Sequence, residues 1–111
     1  SVYRVTYEYN DIETYNKTDT TILSLDSINL LVNDIPLFDP STGLNLTVRL
    51  GERLAIQGPS GIGKTCLLRV ICKLDNPLAG NINFHMPLEE AIEPENRNNY
   101  YRYIKSLFSC T

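Results

Sequence analysis

The sequence lacks an excess of positive charge and a long hydrophobic run. Acidic side chains outnumber basic ones by 13 to 10, and the resulting charge of −3 without a basic stripe argues against nucleic acid as the main partner. No apolar run approaches the roughly 18 residues of a membrane span, and no signal peptide is visible. We therefore expect any membrane association to come from sequence outside these residues or from a partner protein.

The sequence also lacks a recognisable metal-ligand pattern. Its cysteines, Cys66, Cys72 and Cys110, are odd in number and not in metal-ligand spacing, which predicts thiols in a reducing compartment rather than a zinc site. The single histidine, His85, is interpreted as an exposed residue at a strand end. Four glutamates form what we interpret as a solvated acidic loop, because nothing nearby supplies a second ligand type. They are Glu89, Glu90, Glu93 and Glu95.

One stretch has a pattern with a known chemistry. It fits G-x-x-x-x-G-K-[ST], a loop in which glycines allow tight turns and backbone N–H groups surround an anion. A helix that starts at the loop adds the positive end of its dipole. Lys64 can then reach the β- and γ-phosphates of a nucleotide, and the Thr65 hydroxyl can ligate Mg²⁺. The matching residues are Gly58, Pro59, Ser60, Gly61, Ile62, Gly63, Lys64 and Thr65.

The neighbouring sequence supplies the strand and the helix that such a loop requires. Residues 53–57 read as a short strand with Leu54 and Ile56 on one face, and apolar residues at helical spacing predict a helix from 63 to 74. We expect this helix to pack Leu67, Leu68, Ile71 and Leu74 against a sheet, with Arg69 and Lys73 in water. The alternative is a plain glycine-rich turn between a strand and a helix, and the surrounding order makes it much less probable than the phosphate loop.

The remaining residues predict an α/β fold with a mostly antiparallel group of strands at about 21–50. Alternation indicates a half-buried strand at 44–50, a loop at 39–43 and a further strand at 81–84. Residues 1–20 are interpreted as a linker or sheet-edge segment with a strand near 2–9. A helical turn is expected at 88–93, and residues 100–108 fit a strand or a helix equally well.

These features resemble the first part of the nucleotide-binding domain of an ATP-binding cassette (ABC) transporter. The resemblance rests on the strand, Gly-Glu, strand lead-in at 44–56, on the phosphate loop and the start of the helix after it, and on P-x-x-G-x-I at 77–82. It covers roughly Ile22 to Phe84. It therefore divides the chain into a segment at 1–20, a partial ABC domain at 21–84 and a divergent or truncated tail at 85–111. The run at 63–70 is most similar to subfamily D half-transporters.

The resemblance implies a P-loop NTPase fold with ATP and Mg²⁺ as ligands. The phosphate-binding roles carry over to Gly61, Gly63 and Lys64, and the Mg²⁺ role to Thr65. Cys66 replaces a second hydroxyl near the α-phosphate and keeps only its backbone N–H for that purpose. The implied partners are a transmembrane domain and a second nucleotide-binding domain. The implied location is the cytosolic side of a membrane, which in subfamily D is peroxisomal or lysosomal.

Several family features are not found, so the catalytic residues stay unassigned. No aromatic residue occurs at 31–36 to stack on adenine, and Phe38 is the nearest candidate in what looks like the wrong register. The only glutamine is Gln57, so the downstream glutamine, expected near Lys105 and Ser106, is missing. The sequence also contains no signature motif of the SGG type, and no Walker B strand of four apolar residues followed by an acidic one comes after the loop. We therefore expect a fragment that binds nucleotide weakly and turns it over negligibly, within a complete protein that hydrolyses ATP.

Two other functions remain open. A small nucleotide kinase of the guanylate-kinase type also carries a G-P-S-G-x-G-K loop, although usually near the start of its chain. A truncated or alternatively spliced product could retain the loop without catalytic competence, and the polar residues 85–111 fit that interpretation.

Overall fold

A computed structural model describes residues 2–6, 20–85 and 97–110. The described chain is mixed α/β, as predicted. Its strands are β1 (Val2–Thr6), β2 (Thr21–Asn29), β3 (Leu31–Val32), β4 (Ile35–Pro36), β5 (Leu44–Arg49), β6 (Glu52–Ile56), β7 (Ala79–Phe84) and β8 (Phe108–Cys110); its helices are α1 (Lys64–Ile71) and α2 (Arg97–Leu107).

Strand β2 is the centre of an antiparallel sheet with the order β5-β2-β7. Leu23 lies opposite Val48 of β5 and Phe84 of β7. Along β5, Leu44, Leu46 and Val48 turn inward while the residues between them are exposed, so the predicted alternating strand is confirmed.

Strand β6, which leads into the phosphate loop, lies between two strands from distant parts of the chain. β1 pairs with it antiparallel, with Val2 opposite Ile56, and β8 pairs with it parallel, with Leu54 opposite Phe108. The prediction of a strand at 53–57 is therefore correct to within one residue. Glu52 begins this strand and is buried, with a carboxylate oxygen that accepts the Arg49 N–H at 2.7 Å across the preceding turn.

The helix after the loop is shorter than predicted. It ends at Ile71 rather than at 74, because Lys73 adopts a left-handed conformation with φ of 61°. Leu67 and Ile71 are buried as expected, but Leu68 is only half-buried, and Leu74 lies beyond the helix with 48% of its surface exposed. The prediction that Leu74 packs against the sheet was wrong.

The buried face of α1 includes two residues that the prediction omitted. Val70 and Cys72 are buried, whereas Arg69 and Lys73 are exposed as expected. The shift follows from the early helix end, since Cys72 turns inward as the chain leaves the helical path.

Two further elements fall where the sequence was ambiguous. The ambiguous region after residue 97 is a helix, α2, followed directly by the short strand β8. Residues 31–36 form a small hairpin of β3 and β4, with Val32 opposite Ile35 and the connection at Asn33 and Asp34. The helical turn expected at 88–93 lies outside the described residues.

One hydrophobic core joins the two sheets and both helices. In it, α2 contributes Tyr100, Ile104 and Leu107, and the Tyr100 and Tyr103 rings meet Phe84 edge-on at 5.3 and 6.0 Å between centroids. Among the described residues, no helix is long and apolar enough to cross a membrane.

Candidate functional site

The phosphate loop connects the end of β6 to the start of α1. Gly61 and Gly63 both adopt positive φ, at 81° and 114°, and the Ile62 N–H donates to the Pro59 carbonyl at 3.3 Å. Positive φ is accessible to glycine at little cost, which is why this turn requires glycine at these two places. The chain therefore reverses direction tightly over 58–63 and enters the helix at Lys64.

The N-terminus of α1 is left without a protein cap. Gly63 occupies the N-cap position, no side chain bonds to the helix end, and the first turn contains no acidic residue. The first N–H groups of a helix have no partner within the helix, and the helix dipole places partial positive charge there. This end of α1 therefore favours an anion.

Lys64 adds a full positive charge to the same place. Its half-buried ammonium group donates a hydrogen bond to the Gly58 carbonyl oxygen at 2.5 Å, so the side chain lies back across the loop. Most of the other predicted site residues are at the surface. Pro59, Ser60, Gly61, Ile62, Thr65 and Cys66 are exposed, Gly58 is partly exposed, and Gly63 is buried.

A cavity of about 250 Å³ lies beside the loop. One part of its lining carries Gly63 and Lys64, and another belongs to the chain that leaves the β3–β4 hairpin. Its lining is mostly apolar with a cationic end, an arrangement typical of small-molecule sites. The lining residues are Leu37, Phe38, Ile56, Gln57, Ile62, Gly63, Lys64 and Leu67.

Sequence reasoning missed the wall of the cavity that is formed by the chain after the β3–β4 hairpin. Phe38, which looked out of register, lies in this wall, as does Leu37. Both follow a hairpin of two-residue strands, which is too short to show periodicity. The signal that places them is a polar residue inside an apolar run, Asn29, whose side chain bonds to the backbone of Phe38.

The structure confirms the predicted exposure of His85 and buries one of the three cysteines. Burial raises the pKa of the Cys72 thiol to about 11, so it is neutral at physiological pH, while Cys66 and Cys110 are exposed free cysteines. His85 follows β7 and is exposed, with its ring Nε2 2.9 Å from the Ser24 hydroxyl oxygen. Across the part of the chain that the structure describes, no three His, Cys, Asp or Glu residues are grouped to hold a metal. The four glutamates at 89–95 lie outside it.

The ABC transporter family profile matches residues 41–109, which include the loop, both helices and almost all of β8. The chain belongs to the ABC transporter family. This membership gives the coarse fold as a P-loop NTPase and favours the ABC interpretation over the guanylate-kinase alternative.

Similar proteins include ATP-binding components of bacterial transport systems. The sulfate/thiosulfate import ATP-binding protein CysA of Pseudomonas aeruginosa is 57% identical over 42 residues, which are 38% of this chain and 13% of that protein. The lipoprotein-releasing system ATP-binding protein LolD of Psychrobacter arcticus is 45% identical over 56 residues, 50% of this chain and 25% of that one. The cytochrome c biogenesis ATP-binding export protein CcmA of Shewanella frigidimarina is 34% identical over 71 residues, which are 64% of this chain and 32% of that protein.

The matched segments thus span at most 32% of the length of these three relatives. The family match also corrects the extent of the resemblance, which was expected to fade after Phe84 but continues to residue 109. Lys105 and Ser106, near which a functional glutamine was expected, lie on α2 just before β8.

Proposed function

We propose that this chain binds ATP with Mg²⁺ through residues 58–66, as part of an ABC transporter ATPase that couples ATP hydrolysis to transport across a membrane. The observation that carries the proposal is the uncapped N-terminus of α1, with the Lys64 ammonium beside it, in a chain of the ABC transporter family. A triphosphate places its negative charge where this loop supplies donors.

Each residue of the loop has a distinct part in this proposal. The backbone N–H groups from Gly61 to Cys66 surround the β-phosphate, and the Lys64 ammonium exchanges its bond with the Gly58 carbonyl for phosphate oxygens. The Thr65 hydroxyl ligates Mg²⁺, and its exposure leaves room for the waters and phosphate oxygens that complete the shell. Bound Mg²⁺ neutralises charge on the phosphates.

The remaining loop residues form the turn around the β-phosphate and do not contact it through their side chains. They are Gly58, Pro59, Ser60 and Ile62. The cavity beside Lys64 provides the space next to the phosphates for the nucleoside. Its apolar lining suits a flat base better than a second charged group, because only Gln57 and Lys64 carry polar side-chain atoms there.

The partners and the location are proposed from the family. A transmembrane domain, in the same or a partner chain, and a second nucleotide-binding domain complete the machine, on the cytosolic side of a membrane. The named relatives belong to an import system, a lipoprotein-releasing system and an export system, so their similarity does not select a cargo for this chain. They also give no support to subfamily D or to a peroxisomal or lysosomal membrane, which stay predictions from residues 63–70.

The division into a segment at 1–20, a partial ABC domain at 21–84 and a tail at 85–111 stays a proposal, and the family match at 41–109 extends over most of that tail. We further propose that the isolated chain turns over ATP negligibly, because hydrolysis requires a carboxylate that orients water and the signature loop of a second copy. A truncated product without catalytic competence is the second candidate.

Titration with a fluorescent ATP analogue tests the binding proposal. We expect saturable association that depends on Mg²⁺, and Lys64→Ala should weaken it by about 30-fold or more, because a charge-assisted contact to phosphate is lost. Lys105→Ala is the matched control, since it removes the same charge from an exposed site on α2 and should leave the affinity unchanged.

The absence of saturable association would overturn the binding proposal. Substantial ATPase activity of the isolated chain, abolished by Lys64→Ala, would instead contradict the expectation that it is catalytically incompetent.

A further inference from the structure

Asn29 is a buried polar side chain at the end of β2. It is 3% exposed, and its amide makes three hydrogen bonds of 3.0 Å to the backbone. The Oδ1 atom accepts from the N–H groups of Leu30 and Phe38, and Nδ2 donates to the Phe38 carbonyl. The side chain thus pairs with Phe38 much as a neighbouring strand would.

This pairing closes the base of the β3–β4 hairpin. The Leu37 N–H donates to the Leu30 carbonyl at 2.9 Å, next to the bonds of Asn29 to Phe38. The backbone of Asn29 is itself anchored in the sheet, because its carbonyl accepts the Leu78 N–H at 2.9 Å. The hairpin therefore leaves the sheet from a fixed point, and the Asn29 side chain is one of the groups that hold its base.

The hairpin reaches from that point to the phosphate loop. A methyl group at Gly63 would lie 2.7 Å from Val32 Cγ2 and within 3.6 Å of the Leu37 side chain. Gly63 is the left-handed residue at the N-cap of α1. Val32 and Leu37 thus pack directly on the glycine whose conformation aims the first helical N–H groups.

We propose that Asn29 is a positioning residue for the phosphate site, which it acts on through the hairpin. Its hydrogen bonds to Phe38 and Leu30 keep Val32 and Leu37 packed against Gly63. This packing limits the conformations of the loop before a ligand binds. A loop held in its binding conformation loses less freedom on binding, so its affinity for phosphate is higher. The inference rests on the proposed function, since it assumes that this loop binds a triphosphate.

The main test compares Asn29→Ala with Asn45→Ala. Asn45 also joins its side chain to the backbone at two places, accepting the Ser27 N–H at 2.9 Å and donating to the Thr42 carbonyl at 3.2 Å, but it lies on β5 outside the hairpin. The affinities for Mg-ATP and for Mg-tripolyphosphate are measured. We expect Asn29→Ala to weaken both by about tenfold, because it displaces the loop, and Asn45→Ala to weaken neither.

Tripolyphosphate separates an effect on the loop from an effect on the nucleoside. If Asn29→Ala weakens ATP but leaves tripolyphosphate unchanged, the hairpin contacts only the nucleoside and the inference fails. Equal losses for Asn29→Ala and Asn45→Ala would also overturn it, because a general loss of stability would then suffice.

A second pair of variants applies if Asn29→Ala does not fold. Val32→Ala removes the methyl groups over Gly63, and Leu31→Ala removes a side chain from the same strand that is 47% exposed. Val32→Ala should weaken tripolyphosphate binding by about threefold or more, from a loss of preorganisation, and Leu31→Ala should not. Equal affinities of these two variants would overturn the inference.

A measurement without ligand distinguishes this inference from the proposed function. Amide hydrogen exchange should be faster in Asn29→Ala and Val32→Ala than in the unmodified chain at Ile62, whose N–H donates to the Pro59 carbonyl, and at Leu67, whose N–H donates to the Gly63 carbonyl. It should not be faster in Asn45→Ala or Leu31→Ala. If the unmodified chain binds neither ligand, the proposed function fails, and this exchange comparison alone decides whether Asn29 holds the loop. Unchanged exchange in both hairpin variants would contradict it.

Discussion

The two ends of α1 are built in opposite ways. At the N-terminus, Gly63 supplies no capping side chain, and the adjacent Lys64 contributes positive charge. At the C-terminus, the chain turns back over the last carbonyl groups and satisfies them within the protein. The same helix therefore has one end that requires a partner and one that does not.

The closed end combines a backbone motif with tertiary contacts. Left-handed Lys73 directs its N–H to the Val70 carbonyl at 3.0 Å, and the Leu74 N–H reaches the Arg69 carbonyl at 2.9 Å, a Schellman arrangement. The Tyr100 hydroxyl donates to the Ile71 carbonyl at 3.3 Å.

The difference shows where the helix contributes to function and where it contributes to stability. An end whose polar groups are satisfied by the protein gains nothing from a ligand, whereas an open end with a cation beside it gains from an anion. Substitutions at the closed end should therefore change stability and leave nucleotide affinity alone, whereas those at the open end should change affinity and, where they strain the turn, stability as well. Four variants or conditions test this contrast.

The largest expected effect on stability is at the open end, where Gly63→Ala is compared with Gly61→Ala. Both residues have positive φ, but a methyl group at Gly63 meets Val32, whereas nothing lies within 4 Å of one at Gly61. In urea denaturation we expect losses of about 2–4 kcal/mol for Gly63→Ala and about 1–2 kcal/mol for Gly61→Ala. Equal losses would show that Val32 yields without cost.

The next effect concerns pH and Cys72, which caps the closed end. Burial raises the pKa of this thiol from 9.0 to about 11, so between those values the unfolded chain releases a proton that the folded chain retains. The stabilisation is complete below pH 9 and disappears as the pH rises towards 11, with a total loss of about 1–3 kcal/mol.

Denaturation at about pH 8 and about pH 10.5 measures this loss, and Cys72→Ala should flatten the difference. A smaller slope should remain in that variant, because burial also raises the pKa of Tyr100. If Cys72→Ala leaves the pH dependence of the free energy of unfolding unchanged, a group other than Cys72 causes that dependence.

Tyr100→Phe should have a smaller effect. It removes the hydroxyl that donates to the Ile71 carbonyl and should lower the free energy of unfolding by about 1 kcal/mol, with nucleotide affinity unchanged. Tyr103→Phe is the matched control, because its ring also meets Phe84 edge-on. A change in nucleotide affinity in Tyr100→Phe would contradict the separation of the two ends.

The smallest expected effect is a gain from Lys73→Gly. A left-handed lysine costs about 1 kcal/mol relative to glycine, but its ammonium lies 5.3 Å from the Tyr100 ring centroid and recovers part of that cost. We expect a net increase of about 0.5 kcal/mol in the free energy of unfolding by urea denaturation. A net decrease would mean that the cation–π contact outweighs the backbone strain.

The comparison of α1's ends also separates what the sequence predicts from what it does not. The strand, the loop and the start of the helix follow from residues close together in the chain, and each was predicted to within one residue. The end of the helix was placed three residues late, because the apolar residues at helical spacing continue to Leu74. Lys73 ends the helix earlier by adopting a conformation that is uncommon for lysine.

The rest of the site depends on contacts between distant residues. The β3–β4 hairpin is not predicted as a paired unit, because Leu31–Val32 and Ile35–Pro36 are too short to show alternation. Phe38 was discounted by its register, although Asn29 holds it in the wall of the cavity. Residues 100–108 were ambiguous because their own pattern does not show that the last of them joins a sheet. The other strands of that sheet come from the distant residues 2–6 and 52–56.

The strand that leads into the phosphate loop has a consequence for folding during synthesis. β6 lies between β1 and β8, so its neighbours come from residues 2–6 and 108–110. As the chain emerges from the ribosome, β1 is free to pair with β6 early, whereas the other edge waits until residue 110 has been made. Such long-range pairing is slow, so a nascent chain exposes one edge of its nucleotide-binding strand for an interval in which a chaperone or another nascent chain can reach it.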